Sequence, residues 1–194
     1  TLPVWLKADQ RVVVAEFGSP ETAGLANPNP ERSGRGGLHP LRVLFAGSMS
    51  QRKGLADVFA AMRLLNSREV ELVVMGSTVV PMAFYQSQSA GFTYEPPRPH
   101  AAVLELMCSC DVLVLPSIVE GRALVQQEAL ACGLPLIVSA NAGGEDLVDE
   151  GRTGFLVPVR SPEDIAQSID WFASHRGELE AMRPLCRAKA AEYT

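Results

Sequence analysis

No run of apolar residues in this chain reaches the roughly 20 that a membrane-spanning helix needs. Positive charge is not in surplus. The balance is 17 basic against 22 acidic residues, a net charge of −5, which argues against a nucleic-acid-binding face. Cysteine is scarce too. Cys108 and Cys110 flank one serine, while Cys132 and Cys186 stand alone. Zinc sites use paired ligand sets at fixed spacings, and none occurs, so we expect no metal. Reduced, mostly buried thiols in a cytosolic protein are the expectation. The histidines His39, His100 and His175 are scattered, and we expect all three to be solvated or loosely packed. The phosphate-loop order Gly-x4-Gly-Lys-Ser/Thr is missing, and the glycines of "SGRGG" do not lead from a strand into a helix. No signal-peptide pattern stands at the start. Thr1 is not an initiator residue, which suggests a piece of a longer chain.

What is present is a chain of 194 residues, 47% of them hydrophobic, enough for one α/β domain with a short appendage. Residues 11–15, "RVVVA", read as a short strand. The Gly- and Pro-rich stretch 18–40 reads as a loop or linker. From Leu41 the pattern turns regular. Continuous apolar runs in "LRVLFAG", "VELVVMG", "DVLVLPS", "LPLIVSA" and "GFLVPV" read as strands buried on both faces. "GFTYE" reads as a shorter one. Helices are expected in "GLADVFAAMRLLNS", "HAAVLELMCSC" and "ALVQQEALACG", and over about 178–191. "VVPMAFYQSQSA" is ambiguous, a helix broken by Pro81 being one reading. "SPEDIAQSIDWFASH" has the strongest start signals. Ser161 can cap it, Pro162 suits the first turn, and Glu163 and Asp164 complement the dipole. Strands alternating with helices predict an α/β fold, a Rossmann-like parallel sheet with helices on both faces. Ligands of such folds bind beyond the carboxyl ends of the strands. The loops after Gly47, Gly76, Tyr94, Pro116 and Ala140 are therefore the candidates.

Three of these loops carry chemistry. "GSMSQRKG" sets Arg52 beside Lys53 ahead of a helix. Two cations, nearby glycines and a helix N-terminus suit an anion, although a solvated Arg–Lys pair accounts for the same residues. "PSIVEGRALVQQEALACGLP" places Glu120 at the mouth of a turn and Glu128 after seven intervening residues on the next helix. A carboxylate near a sheet edge costs desolvation energy unless it is paired. Carboxylates do not hold phosphates, but they do accept hydrogen bonds from vicinal hydroxyls of a ribose or a hexose. The unpartnered amides at the start of that helix could hold a phosphate. In "SANAGGEDLV" the two glycines allow close backbone approach, as an ordinary turn also would.

Together "FAGSMSQRKG", "DVLVLPSIVEGRALVQQEALACGLPLIVSANAGGEDLV" and "GRTGFLVP" resemble the carboxyl-terminal domain of retaining glycosyltransferases of the GT-B fold, the large family-four group. The resemblance covers about 41–191. It implies that Arg52 and Lys53 bind the diphosphate of a nucleotide sugar, beside Gly47, and stabilise the leaving group without a metal. It implies that Glu120 faces the donor sugar, completing the catalytic set Arg52, Lys53 and Glu120, and that Glu128 holds the ribose. Amides from Gly121 through Arg122 and Ala123 to Leu124 would contact the diphosphate and sugar. The base would lie near Thr93, Tyr94 and Glu95. The chain departs from the usual Gly-Phe-Gly-Leu with Gly121-Arg122-Ala123-Leu124, so Arg122 adds a charge that either nears the phosphates or points to solvent.

The resemblance further implies that 1–40 is an interdomain segment and 41–194 the nucleotide-sugar domain, with the amino-terminal acceptor domain missing. Partners would be that domain and the nucleotide sugar, with no nucleic acid and no cofactor. The intact enzyme would be cytoplasmic, with peripheral association at the inner membrane face left open. A nucleotide-sugar epimerase or sugar phosphorylase on the same fold, or a non-catalytic nucleotide-sugar module, remain alternatives.

Overall fold

The computed structural model describes residues 18–20, 39–89 and 91–193. The strand expected at 11–15 and nearly all of segment 1–40 lie outside the described residues. Among these residues six parallel strands form one sheet: β1 (Leu41–Ala46), β2 (Val70–Met75), β3 (Thr93–Glu95), β4 (Val112–Leu115), β5 (Leu136–Ser139) and β6 (Gly154–Val157). Their order across the sheet is β3-β2-β1-β4-β5-β6. β1 pairs with β2 from Leu41 opposite Val70 to Ala46 opposite Met75, and with β4 through Val43 and Leu44. The chain thus builds outward from β1 in one direction, then returns past β1 and builds in the other. That reversal opens a crevice at the carboxyl ends of β1 and β4, where such sheets bind ligands.

The apolar runs are strands because both faces are covered. Every residue of β4 and β5 is buried. Helix α1 (Leu55–Leu65) turns Leu55, Val58, Phe59 and Met62 inward and packs on α5 (Pro162–Ser174). A second layer pairs α4 (Leu124–Ala131) with α6 (Arg176–Ala191), with α3 (His100–Cys108) beside α4. Each fully buried Leu, Val or Phe side chain contributes about 1.5–3 kcal/mol. A dozen of the largest, Phe45, Phe172 and Leu113 among them, are under 2% exposed, so this core anchors the strand ends that carry the site.

Several local expectations are corrected. Pro81 does not break a helix; it sits in the cap position ahead of α2 (Met82–Gln88), where its fixed φ and missing N–H do no harm. Ser161 occupies the N-cap of α5 but its side chain caps no backbone N–H. Its hydroxyl binds the carboxylate of Asp164, a stronger acceptor one turn away. His175 is not loose. Its ring stacks on Trp171 at 4.6 Å, and Nδ1 donates to the Trp171 carbonyl at 2.8 Å. All four cysteines are free thiols, and three are buried while Cys108 is half-buried.

Candidate functional site

The crevice at the strand-order reversal holds a cavity of about 510 Å³ whose walls include Gly47, Lys53, Arg98, His100, Glu120 and Glu128. Two loops build its floor. After β1 the chain makes one tight helical turn, Gln51–Lys53, ending in Gly54 at φ 76°. A Cβ on Gly54 would lie 2.2 Å from the Pro116 carbonyl oxygen, so only glycine lets this loop close against the loop after β4. The Ile118 N–H then donates to the Arg52 carbonyl at 2.8 Å, tying the two loops together.

That closure brings the cations of one loop to the carboxylate of the other. Lys53 is only 9% exposed, and its Nζ meets Glu120 Oε2. Arg52 Nη1 lies 3.7 Å from Glu120 Oε1, with a side chain 54% exposed. The Ser117 hydroxyl adds a longer contact to Glu120 Oε2 at 3.4 Å. Glu120 is therefore paired at both oxygens, which offsets the desolvation its position imposes. Glu128 faces the same cavity from α4, and its Oε1 lies 3.0 Å from His100 Nε2.

The turn between the two acids is braced from the loop after β5. The Glu120 N–H donates to Asn141 O at 2.9 Å and the Ala123 N–H to Ala142 O at 3.4 Å. Gly143, at φ 67°, approaches so closely that a Cβ there would lie 2.0 Å from the Gly121 carbonyl. The glycine pair of "SANAGG" thus serves protein–protein approach. Among the described residues, the amides of Gly121, Arg122, Leu124 and Val125 donate to no protein acceptor. They sit at the start of α4, where helix geometry leaves them available to a ligand.

Arg122 lines the cavity wall, but its charge goes elsewhere. Nη2 donates to Asp146 Oδ2 at 2.8 Å, and the guanidinium lies 4.9 Å from the centre of the Tyr193 ring. Neither expected position, at the phosphates or in solvent, is the one observed. Tyr193 donates to the same Asp146 carboxylate at 3.0 Å, and burial together with that carboxylate pushes its phenol pKa up.

Gly47, Lys53, Glu120, Ala123, Leu124 and Glu128 come together at the cavity. Arg122 shares its wall with the charge turned away, and Arg52 and Gly121 stand just outside the lining. Thr93 and Tyr94 do not reach it. The Thr93 hydroxyl donates to Glu71 Oε1 at 3.2 Å and the Tyr94 hydroxyl to Gly76 O at 3.1 Å. What reaches the cavity from that side is Arg98, paired with Glu95, and His100. Sequence reading missed both; His100 is solvated, as expected, but it also bonds to Glu128 at the cavity. The signal was their place just after β3: Arg98 lies in one of the five strand-end loops and His100 opens the helix that follows it. Among the described residues no three metal-ligating side chains converge, and no helix is long and apolar enough to cross a membrane.

The family model for glycosyl transferases group 1 matches residues 40–175. D-inositol 3-phosphate glycosyltransferase of Paenarthrobacter aurescens is 32% identical over 148 residues, which is 69% of this chain and 36% of that protein. An uncharacterised glycosyltransferase of Methanocaldococcus jannaschii is 29% identical over 146 residues, again 36% of its length. This chain thus spans little more than a third of the curated relatives it matches. Among solved structures, Anabaena HepE in complex with UDP and glucose superposes with a TM-score of 0.72 at 21% identity, over 86% of this chain and 48% of that one. The C-terminal domain of a glycosyl transferase group 1 family protein from Francisella tularensis superposes with a TM-score of 0.70 at 15% identity, over 92% of this chain and 95% of that domain. These structures carry the same fold, the Rossmann-like half of a GT-B architecture. The family match takes in all six strands and every loop that walls the cavity, and this chain belongs to the glycosyl transferases group 1 family.

Proposed function

We propose that 41–194 is the donor-binding domain of a retaining glycosyltransferase, which moves a hexose from a nucleoside diphosphate sugar to an acceptor hydroxyl. The observation that carries this reading is the convergence of Lys53, Glu120 and Glu128 on one cavity at the carboxyl ends of β1 and β4. The acceptor domain would belong to the rest of a longer protein. HepE, which shares the fold, is described with UDP and glucose, and that supports the ligand class.

In this reading the diphosphate lies over the free amides at the start of α4, with Lys53 and Arg52 beside it. Negative charge grows on the leaving diphosphate as the glycosidic bond breaks. Lys53 stabilises it strongly because it is nearly buried, where fixed charges act with little screening. Glu120 shares Lys53 with the phosphate through Oε2, and Oε1, whose contact to Arg52 is the longer one, accepts from the sugar hydroxyls. Glu128 accepts from the ribose. Glu120 holds the sugar and is not itself the nucleophile.

Calorimetric titration of this chain with uridine, guanosine and adenosine diphosphates and their sugars tests the assignment. Glu128→Gln should weaken the bare diphosphate and the nucleotide sugar about equally. Glu120→Gln should weaken only the nucleotide sugar, and the bare diphosphate should bind as well or better, because Lys53 no longer has a competing anion. Equal loss of the bare diphosphate in both variants would show the division of roles to be wrong.

A further inference from the structure

We propose that His100 is a positioning residue for ribose recognition: it holds the Glu128 carboxylate in the orientation that accepts the ribose hydroxyls. The inference rests on the donor-site reading above and assigns a residue that reading leaves without a role. His100 is the first residue of α3, and Glu128 lies on the neighbouring helix α4. The His100 Nε2–H donates to Glu128 Oε1 at 3.0 Å. Among the described residues Glu128 Oε2 has no hydrogen-bond partner, and the Glu128 side chain is 21% exposed at the cavity wall. One oxygen is thus held and the other is left for the ligand.

A glutamate has three side-chain torsions and loses their freedom when it grips a diol. Fixing it beforehand removes part of that cost. A vicinal diol needs a carboxylate presented edge-on, and a donor from a second helix sets the plane of the carboxylate in a way α4 alone does not. His100 is 59% exposed, yet it lines the cavity and bonds to the acid that faces it.

The test compares nucleoside diphosphates with their 2′,3′-dideoxy forms, for uridine, guanosine and adenosine, against this chain and its variants. Glu128→Gln should weaken the ribose form and leave the dideoxy form nearly unchanged. His100→Ala should weaken the ribose form about fivefold and the dideoxy form less than twofold. His100→Gln, which keeps a side-chain N–H, should recover most of the loss. On the Glu128→Gln background, removing His100 should cost nothing further, since it acts through that carboxylate. Thermal melts check that the variants stay folded. If His100→Ala leaves the ribose form unchanged, weakens both forms equally, or adds its loss to Glu128→Gln, the positioning role is overturned while the ribose role of Glu128 stands. If Glu128→Gln itself fails to separate ribose from dideoxy, the ribose reading falls and the role of His100 falls with it.

Discussion

Lys53 and Arg52 are neighbours in sequence and both meet Glu120, yet their surroundings differ, and that difference separates their expected effects. Lys53 is nearly buried, so a charge-assisted contact to phosphate keeps its full value of about 1.5–3 kcal/mol. Lys53→Ala should therefore weaken nucleoside diphosphate binding about tenfold or more. Arg52 is more than half exposed and its charge is screened, so Arg52→Ala should cost about threefold, a loss that shrinks further at high salt. Calorimetry at two salt concentrations checks this, and equal losses would place both cations in the same environment, contrary to the structure. Cys108 offers a second test at this scale. The hydrogen bond from the Cys132 thiol brings the Cys108 pKa down to about 7, against burial and with help from Arg187 and Arg183. Burial pushes Cys186 up to about 12, and Cys132 is raised by the same hydrogen bond and by burial. At pH 8 Cys108 should thus be mostly thiolate while the other two stay protonated. Iodoacetamide should label Cys108 ahead of both, with a rate that rises through about pH 7; peptide mapping that finds equal labelling would refute it. The residues read from sequence were those with motif neighbours: Glu120 and Glu128 share one short stretch, and Lys53 stands between Arg52 and Gly54 in the loop after a buried strand. His100 and Arg98 have no such local mark. They reach the cavity because α3 carries the chain from edge strand β3 back to β4 and lies beside α4, which no nearby residue encodes. Arg122 was placed wrongly for the same reason, since its partners Asp146 and Tyr193 lie far along the chain.

Among elements, strands were the most legible, because a strand covered on both faces must be apolar at every position, as β4 and β5 are. Helix ends were less so, because a cap depends on competition between acceptors, and at Ser161 the Asp164 carboxylate wins. Loop closure was the least legible. The sequence shows a glycine at position 54, but not that its hydrogen faces the Pro116 carbonyl. Gly54→Ala tests whether that contact holds the site together. A left-handed φ costs a non-glycine residue roughly 1–2 kcal/mol, and the clash with a backbone oxygen adds to it. A total above about 2 kcal/mol should lower Tm by about 4–8 °C. Because the displaced loop carries Arg52 and Lys53, nucleoside diphosphate binding should fall with it. Gly177→Ala in α6 is the control: its added Cβ meets nothing within 4 Å, and alanine favours a helix, so stability should hold or rise. If Gly54→Ala melts and binds like wild type, the contact between the two loops does not shape the cavity.

For the whole molecule, the parallel α/β class was legible from alternating apolar runs, but the strand order was not. Order comes from which helices cover which face, and here α5 packs on α1 while α6 packs on α4. That order places the cavity at the β1–β4 reversal and leaves it open on one side. The six-stranded sheet has helices on both faces and its own buried core, so this chain should fold by itself. It should bind a nucleoside diphosphate only weakly, since water reaches the phosphate contacts across the open side. Transfer to an acceptor asks for more. The attacking hydroxyl must be held within about 3–3.5 Å of the anomeric carbon, and such positioning supplies roughly 7–11 kcal/mol of the barrier reduction. The relatives that carry glycosyltransferase names are nearly three times as long as the part matched here, which is 36% of their length. We expect the acceptor to be positioned by that further length. Incubating this chain with uridine, guanosine and adenosine diphosphate sugars and a panel of sugar and polyol acceptors should release diphosphate no faster than slow background hydrolysis. Adding, as a separate chain, an amino-terminal domain from a full-length homologue should raise that rate and make it depend on the acceptor. Acceptor-dependent release at about 1 per second or more by this chain alone would place the complete active site within a single domain, and the donor-domain reading would have to be given up.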